Sequence, residues 1–157
     1  MRAREHIEAG FTLLEVVCAL AIIALLAGVL LPAMPKQTSQ PRLEAYAIEL
    51  AALLKADRSA AIKRGSEIST HIDTHSRSIS SGVNGQAIRI PDDVKLETVL
   101  PRTCNDRPAF ETISFFGSGL SCGGIIALKR THSGYEIRVN WLTGRIELVP
   151  TADVSGQ

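Results

Sequence analysis

Apolar and polar positions divide the chain into three textures. The first is an uninterrupted apolar run: the sixteen residues from Val16 to Leu31 carry no charge. Counted from Phe11, the stretch is 21 residues long, the length a helix needs to cross a bilayer core of about 30 Å. The second texture is periodic. Leu43, Ala47, Leu50, Leu54 and Ala61 recur at helical spacing while Glu44, Lys55, Arg58 and Lys63 fall off that stripe, which predicts an amphipathic helix over 43–65. Gly65 is its natural stop. Between these two helices, Pro32, Pro35 and Pro41 each remove a helix donor and disfavour helix in the preceding residue, predicting a proline-rich bend over 32–42.

The third texture begins after Gly65, where short alternating runs are separated by turn residues, as in a β domain. Strands are predicted over 67–73, 77–80, 86–90, 94–100 and 112–116, with Gly82-Val83-Asn84-Gly85 as a hairpin turn and 101–109 as a loop. The last three runs are 125–129, 135–141 and 145–149. In the middle one Tyr135, Ile137, Val139 and Trp141 share one face and Glu136, Arg138 and Asn140 the other, because side chains alternate along a strand. The connections His132-Ser133-Gly134 and Leu142-Thr143-Gly144 are short enough for hairpins, so an antiparallel meander is expected to end the domain. No internal repeat is visible. The predicted class is α+β: a long N-terminal membrane-spanning helix, a bend, a second helix and a small antiparallel β domain over 66–157.

Glu15 does not belong in the apolar run on hydropathy alone. A carboxylate at the start of a membrane-spanning helix is expensive unless a cation meets it. Cleavage between Gly10 and Phe11 would free an amino group about one turn away, so neighbouring copies would each offer one charge of either sign, and a helix N-terminus itself favours a nearby anion. Gly10, Phe11, Thr12, Leu13, Leu14 and Glu15, ahead of the apolar helix, resemble the prepilin signal of type IV pilins and type II secretion pseudopilins. The alternatives fit less well. A secretory signal has a shorter apolar core and no acid at its start, and an ordinary single-span anchor gives Glu15 no task. In the leader, residues 1–10, Arg2 and Arg4 are offset by Glu5 and Glu8, so orientation by positive charge is weakly written.

The later order of elements extends the likeness. A helix, a β domain, a glycine-rich turn after Ile113-Ser114-Phe115-Phe116 and the run from Tyr135 to Leu148 resemble the GspH/FimT family of minor pseudopilins and minor pilins. That resemblance implies that a prepilin peptidase cuts after Gly10 and methylates Phe11, and that Glu15 serves filament assembly. It implies further partners in other major and minor pseudopilins and an inner-membrane assembly platform. The expected location is the bacterial inner membrane, crossed once, with the C-terminal domain in the periplasm. GspH-like proteins help to nucleate or cap a periplasmic pseudopilus that drives protein export; FimT-like pilins bind DNA during uptake. The first is favoured, with a structural role and no enzymatic one.

Composition narrows the rest. After a leader and a membrane helix, about 120 of the 157 residues remain for one domain. A net charge of +1 and an aromatic content of 4% give neither a strongly basic surface nor many stacking platforms for nucleic acid. Of three cysteines, Cys18 lies in the apolar run, while Cys104 and Cys122 either pair in an oxidising compartment or stand as two thiols. Paired, they would close a loop of roughly 18 residues, contributing about 3 kcal/mol.

Three patterns invite a chemical reading. Gly119-Leu120-Ser121-Cys122-Gly123 matches the nucleophile-elbow spacing of hydrolases, but that elbow turns a strand into a helix, and a strand is expected next. His71, Asp73 and His75 alternate, so a strand would aim all three at one face, though one strand seldom closes a zinc site alone. Lys129, Arg130, Arg138 and Arg145 are a candidate basic patch for DNA or a protein partner, with Glu136 and Glu147 near enough in sequence to pair with them instead. No cofactor or metal is expected.

Overall fold

A computed structural model describes residues 12–30, 38–131 and 133–152. The chain forms two compact units, residues 1–36 and 37–157. Gly10, Phe11, Pro32 and Pro35, with the cleavage position and most of the predicted bend, lie outside the described residues.

In the first unit, helix α1 spans Leu13–Leu30. Thr12 stands at its N-terminus, where its backbone carbonyl and its hydroxyl both accept from the Glu15 amide, at 3.0 and 3.3 Å. This is the side-chain capping arrangement expected of threonine three residues before an acid. Leu13 through Leu26 are exposed on all sides within the chain. Among the described residues no helix is long and apolar enough to cross a membrane; at about 1.5 Å per residue, the 18 residues of α1 rise about 27 Å, just short of a bilayer core.

In the second unit, helix α2 spans Gln40–Arg64 and ends at Gly65, whose φ of 61° is the left-handed conformation that closes a helix. It starts three residues earlier than its apolar spacing predicts. Pro41 lies in the first helical turn, where an amide has no intrahelical acceptor and proline costs nothing; it belongs to the helix and not to the bend. Leu43, Ala47, Leu50, Leu54 and Ala61 are all completely buried.

Among the described residues ten strands follow: β1 (Ile68–Asp73), β2 (Ser78–Ser80), β3 (Ala87–Arg89), β4 (Lys95–Val99), β5 (Thr103–Cys104), β6 (Arg107–Pro108), β7 (Thr112–Phe115), β8 (Gly124–Arg130), β9 (Ser133–Val139) and β10 (Ile146–Ala152). They make two four-stranded sheets, ordered β3-β2-β1-β7 and β10-β9-β8-β4, and a two-stranded ribbon of β5 and β6. Neighbouring strands pair antiparallel, with Ile72 opposite Ile79 in the first sheet and Ile126 opposite Ile137 in the second. The two inner faces and α2 share one core, in which Ile79, Ile113, Phe115, Ile126, Leu128 and Ile137 are fully buried.

Three details depart from the pattern reading. The 101–109 loop contains the β5–β6 ribbon, turned by Asn105 and Asp106 at φ of 51° and 60°; paired positive φ is the signature of the tight hairpin turn. Ser133 and Gly134 belong to β9, where they oppose Arg130 and Lys129, so the β8–β9 turn is tighter than predicted; His132 lies outside the described residues. Trp141 does not join the packed face of Ile137 and Val139. Alternation ends at Val139, because the Asn140 carboxamide oxygen accepts from the Leu142 and Thr143 amides at 2.9 Å each, which turns the chain and leaves Trp141 66% exposed.

Among the described residues one acidic side chain is embedded in this core. Asp57 lies on the buried stripe of α2 with no exposed surface, and its carboxylate accepts from the Thr70 hydroxyl at 2.7 Å, from the Ser81 hydroxyl and from the Gly82 amide at 3.1 Å. It thereby bolts α2 to β1 and to the β2–β3 connection. Among the described residues no buried side-chain polar atom lacks a partner. Asp57→Ala would strand three donors, and thermal or denaturant unfolding of the purified protein is expected to show a loss of about 2–4 kcal/mol, with Asp57→Asn losing less because it keeps an acceptor.

Candidate functional site

Two places in the molecule stand out by their geometry: the N-terminus of α1 and one end of the β domain. At the first, Glu15 occupies the third position of the helix, held by its amide to Thr12. Its carboxylate therefore sits where the unpaired amides of the first turn make the helix end positive. Cys18 is exposed on the same helix.

The second place is built from α2, the β7–β8 loop and the β9–β10 turn. Arg58 joins them: its Nε donates to the Gly119 carbonyl at 3.3 Å and its Nη2 to the Thr143 carbonyl at 2.9 Å. Gly144, at φ of 62°, packs so closely that a β-carbon there would come 2.2 Å from the Gly119 oxygen and 2.7 Å from Arg58 Nε. Only glycine permits that approach. On the far side of the loop Cys104 and Cys122 are joined, with their Cα atoms 5.7 Å apart, fastening the β5–β6 ribbon to the loop. A hollow of about 630 Å³ lies against this disulfide, lined by Phe116, Leu120 and Trp141. A neighbouring hollow of about 760 Å³ shares Trp141 and Cys122 and extends over Val99, Ile125 and Arg138.

Ser121 has no nucleophilic setting. It is buried, its hydroxyl accepts from the Gly123 amide at 3.0 Å, and the chain continues into β8, not into a helix. His71 and Asp73 do share the outer face of β1, but Asp73 Oδ1 accepts from the His75 and Ser76 amides at 2.8 and 2.9 Å, so it closes the β1–β2 turn. Those amide bonds, led by Ser76, hold its carboxyl below the usual range. Among the described residues no cluster of His, Cys, Asp or Glu is arranged for a metal.

The four candidate cations do not form one patch. Adjacent strand residues point to opposite faces, so Lys129 and Arg130 part company: Lys129 Nζ meets Glu97 at 2.7 Å, whereas Arg130 donates to the Thr38 carbonyl and lies 3.9 Å from Asp93. Asp93 in turn accepts from the Thr38 amide at 2.6 Å and its hydroxyl at 2.8 Å, fixing the chain just before α2 to the β domain. Arg138 pairs with Glu136 at 2.7 Å and Arg145 with Glu147 at 3.1 Å. Nothing in the sequence pattern marked Asp57, Arg58 or Asp93; the partners of each lie between 13 and 85 residues away in the chain.

Residues 6–31 match the family model described as the prokaryotic N-terminal methylation motif. The chain is 28% identical over 143 residues to type II secretion system protein H of Xanthomonas campestris pv. campestris, covering 90% of this chain and 83% of that protein. Its fold matches the minor pseudopilin EpsH of the Vibrio cholerae type 2 secretion system with a TM-score of 0.53 at 12% identity, over 68% of this chain and 95% of the other. It also matches the type IV minor pilin FimU of Pseudomonas aeruginosa PAO1 with a TM-score of 0.53 at 21% identity, over 75% and 97%. The chain thus carries the methylation motif, is similar in sequence to a type II secretion protein H, and shares its fold with a minor pseudopilin and a minor pilin. The pilin-like fold is the one these solved structures share, and within it the methylation motif lies wholly ahead of the second unit.

The outer face of the second sheet also has a measurable consequence. Hydrogen bonds from Lys129 first and Lys95 second bring the Glu97 carboxyl down to about 2. A carboxyl depressed on folding contributes stability that is fully present above its unfolded value near 4.5 and is lost as pH falls through the folded one. Unfolding midpoints measured between pH 5 and 2 should therefore fall less steeply in Glu97→Gln than in the parent protein.

Proposed function

We propose that this chain is a minor pseudopilin of type II protein secretion: a structural subunit that helps to nucleate or cap the periplasmic pseudopilus, processed by a prepilin peptidase and not itself an enzyme. The observation that carries this reading is the likeness to type II secretion system protein H, which runs through 90% of the chain and so spans both the motif and the β domain. The apolar run supplies the physical logic. A helix apolar on every side is stable only when lipid or other helices surround it. Phe11–Leu31 would first anchor the subunit in the inner membrane, with the β domain in the periplasm, and then pack among neighbouring helices in the filament.

In this reading Gly10 and Phe11 flank the scissile bond, and the freed, methylated amino group of one subunit meets Glu15 of the next. Transfer of a carboxylate into a low-dielectric bundle is tolerated when a cation compensates it. Oxidation of Cys104 and Cys122 accords with an exported domain.

A type IV minor pilin acting in DNA uptake is the second reading, and the FimU-like fold supports it. The pairing of Lys129, Arg138 and Arg145 with carboxylates argues against it, because duplex binding draws on cations free to replace counterions.

Two experiments test the proposal. Intact mass and N-terminal residue, determined on protein extracted from membranes of cells expressing the cognate peptidase, should show loss of residues 1–10 and an N-methylated Phe11; a chain still starting at Met1 would refute it. Glu15→Ala should remain in the membrane fraction at the parent level yet enter filaments at least about tenfold less, as expected when a buried charge loses its counterpart. Equal incorporation would remove the assigned role of Glu15.

A further inference from the structure

A third hollow, of about 650 Å³, opens between α2 and the β9–β10 turn, with Lys55, Arg58, Ser59, Thr143, Gly144 and Arg145 around it. Its charge is one-sided. Three cations line it and no acid does. Arg58 spends two of its donors on neutral carbonyls, Gly119 and Thr143, so its guanidinium is held in place without being neutralised. Lys55 is exposed and makes no ion pair among the described residues. Arg145 is paired with Glu147 at 3.1 Å. Elsewhere on the same sheet the exposed cations are compensated, Lys95 and Lys129 by Glu97 and Arg138 by Glu136. Against this sheet, Lys55 and Arg58 thus bring positive charge that no acid pairs with among the described residues.

The rim is apolar. Trp141 and Leu142, 66% and 57% exposed, stand on the turn that supplies Thr143 and Arg145. Ile62, 43% exposed, borders the Gly119 loop from α2. A preorganised arginine beside exposed aromatic and aliphatic side chains is the composition of a protein-binding hot spot. A nucleic-acid backbone would instead need a row of cations along its path, and Glu136, Glu147 and Glu97 interrupt any such row across this sheet.

We infer that this hollow is a docking site for a neighbouring subunit of the filament, which inserts an aspartate or glutamate between Lys55, Arg58 and Arg145 and packs apolar side chains on Trp141 and Leu142. The inference rests on the filament reading above. It assigns one contact of the β domain that the N-terminal helix does not provide. Arg58 acts here in two ways: it faces the incoming carboxylate, and it sets the distance between α2 and the turn that carries Arg145.

The test uses the full chain in cells that carry the companion pilin-like subunits. A photo-crosslinking amino acid replaces Ser59 in one experiment and Val17, on α1, in another. Crosslinks from position 59 should join a companion subunit at a segment containing Asp or Glu. Lys55→Glu, alone and with Arg145→Glu, should lower that yield about tenfold or more while crosslinks from position 17 and the melting temperature stay at the parent level; reversing the partner's acid to lysine should restore the yield. Unchanged crosslinking at position 59 in the double variant, or no rescue, overturns the docking site while leaving the filament reading intact. Absence of companion crosslinks from both positions overturns both. Salt-sensitive binding of duplex DNA by the detergent-solubilised chain, lost in the same double variant, would reassign the hollow to a phosphate backbone.

Discussion

The second unit depends on a single carboxylate placed where an apolar residue would be expected. Asp57 occupies the stripe that Leu50, Leu54 and Ala61 define on α2, and burying it there costs several kcal/mol before any partner is counted. What offsets that cost is the number and direction of its donors: a hydroxyl on β1, a hydroxyl just beyond β2 and the Gly82 amide. Apolar packing is nearly indifferent to a small rotation or slide of a helix over a sheet. A carboxylate with three fixed donors is not, so it sets the register of α2 on the first sheet, and every residue further along the helix inherits that register. Arg58 is the next residue. Its reach to Gly119 and Thr143 is therefore a consequence of where Asp57 is held.

The same logic operates at the other end of α2. Thr38, one residue before the Ser39 that precedes the helix, is gripped through its amide and hydroxyl by Asp93 and through its carbonyl by Arg130. The hydrogen bonds from Thr38, more than the charge of Arg130, hold the Asp93 carboxyl below its ordinary range. Under the filament reading proposed above, pull on the chain ahead of α2 would reach the folded domain at this point. A polar clasp at the point of entry resists peeling in a way that non-directional apolar contact does not.

How legible this was from sequence follows the range of the interaction. Elements built on local periodicity could be read: the apolar run, the buried stripe from Leu43 to Ala61, the left-handed Gly65 and the alternation of Ile137 with Val139 all express spacings of 3.6 or 2 within a few residues. Errors arose where a local signal had two meanings. Proline marks a bend but equally a first helical turn, as Pro41 shows, and an aromatic residue in phase with a strand stays in phase only while the strand lasts, as Trp141 shows. Asn105-Asp106 carried a hairpin signal inside a segment whose prolines spoke for a loop. The polar network was not legible at all, because Asp57 gains its meaning from Thr70 and Ser81, and Arg58 from a turn 85 residues away. Proximity in sequence likewise said nothing of strand parity, which sends Lys129 outward and Arg130 to Thr38.

Charge placement on the second sheet completes the argument. Pairing Lys95 and Lys129 on Glu97, and Arg138 on Glu136, leaves a face that is polar and locally neutral, well suited to remain in solvent and to discourage strand-on-strand association at the β4 edge. A surface made neutral everywhere would offer a neighbouring subunit no orientation. The hollow between Lys55, Arg58 and Arg145 departs from that neutrality where Arg58 ties α2 to the β7–β8 loop and the β9–β10 turn. Rigidity matters there because a charge contact specifies orientation only when its groups are already positioned; a floppy cation would lose in side-chain entropy what it gained in attraction. Arg58, anchored by two carbonyls before any partner arrives, meets that requirement, and Lys55, free on the helix surface, can adapt to it.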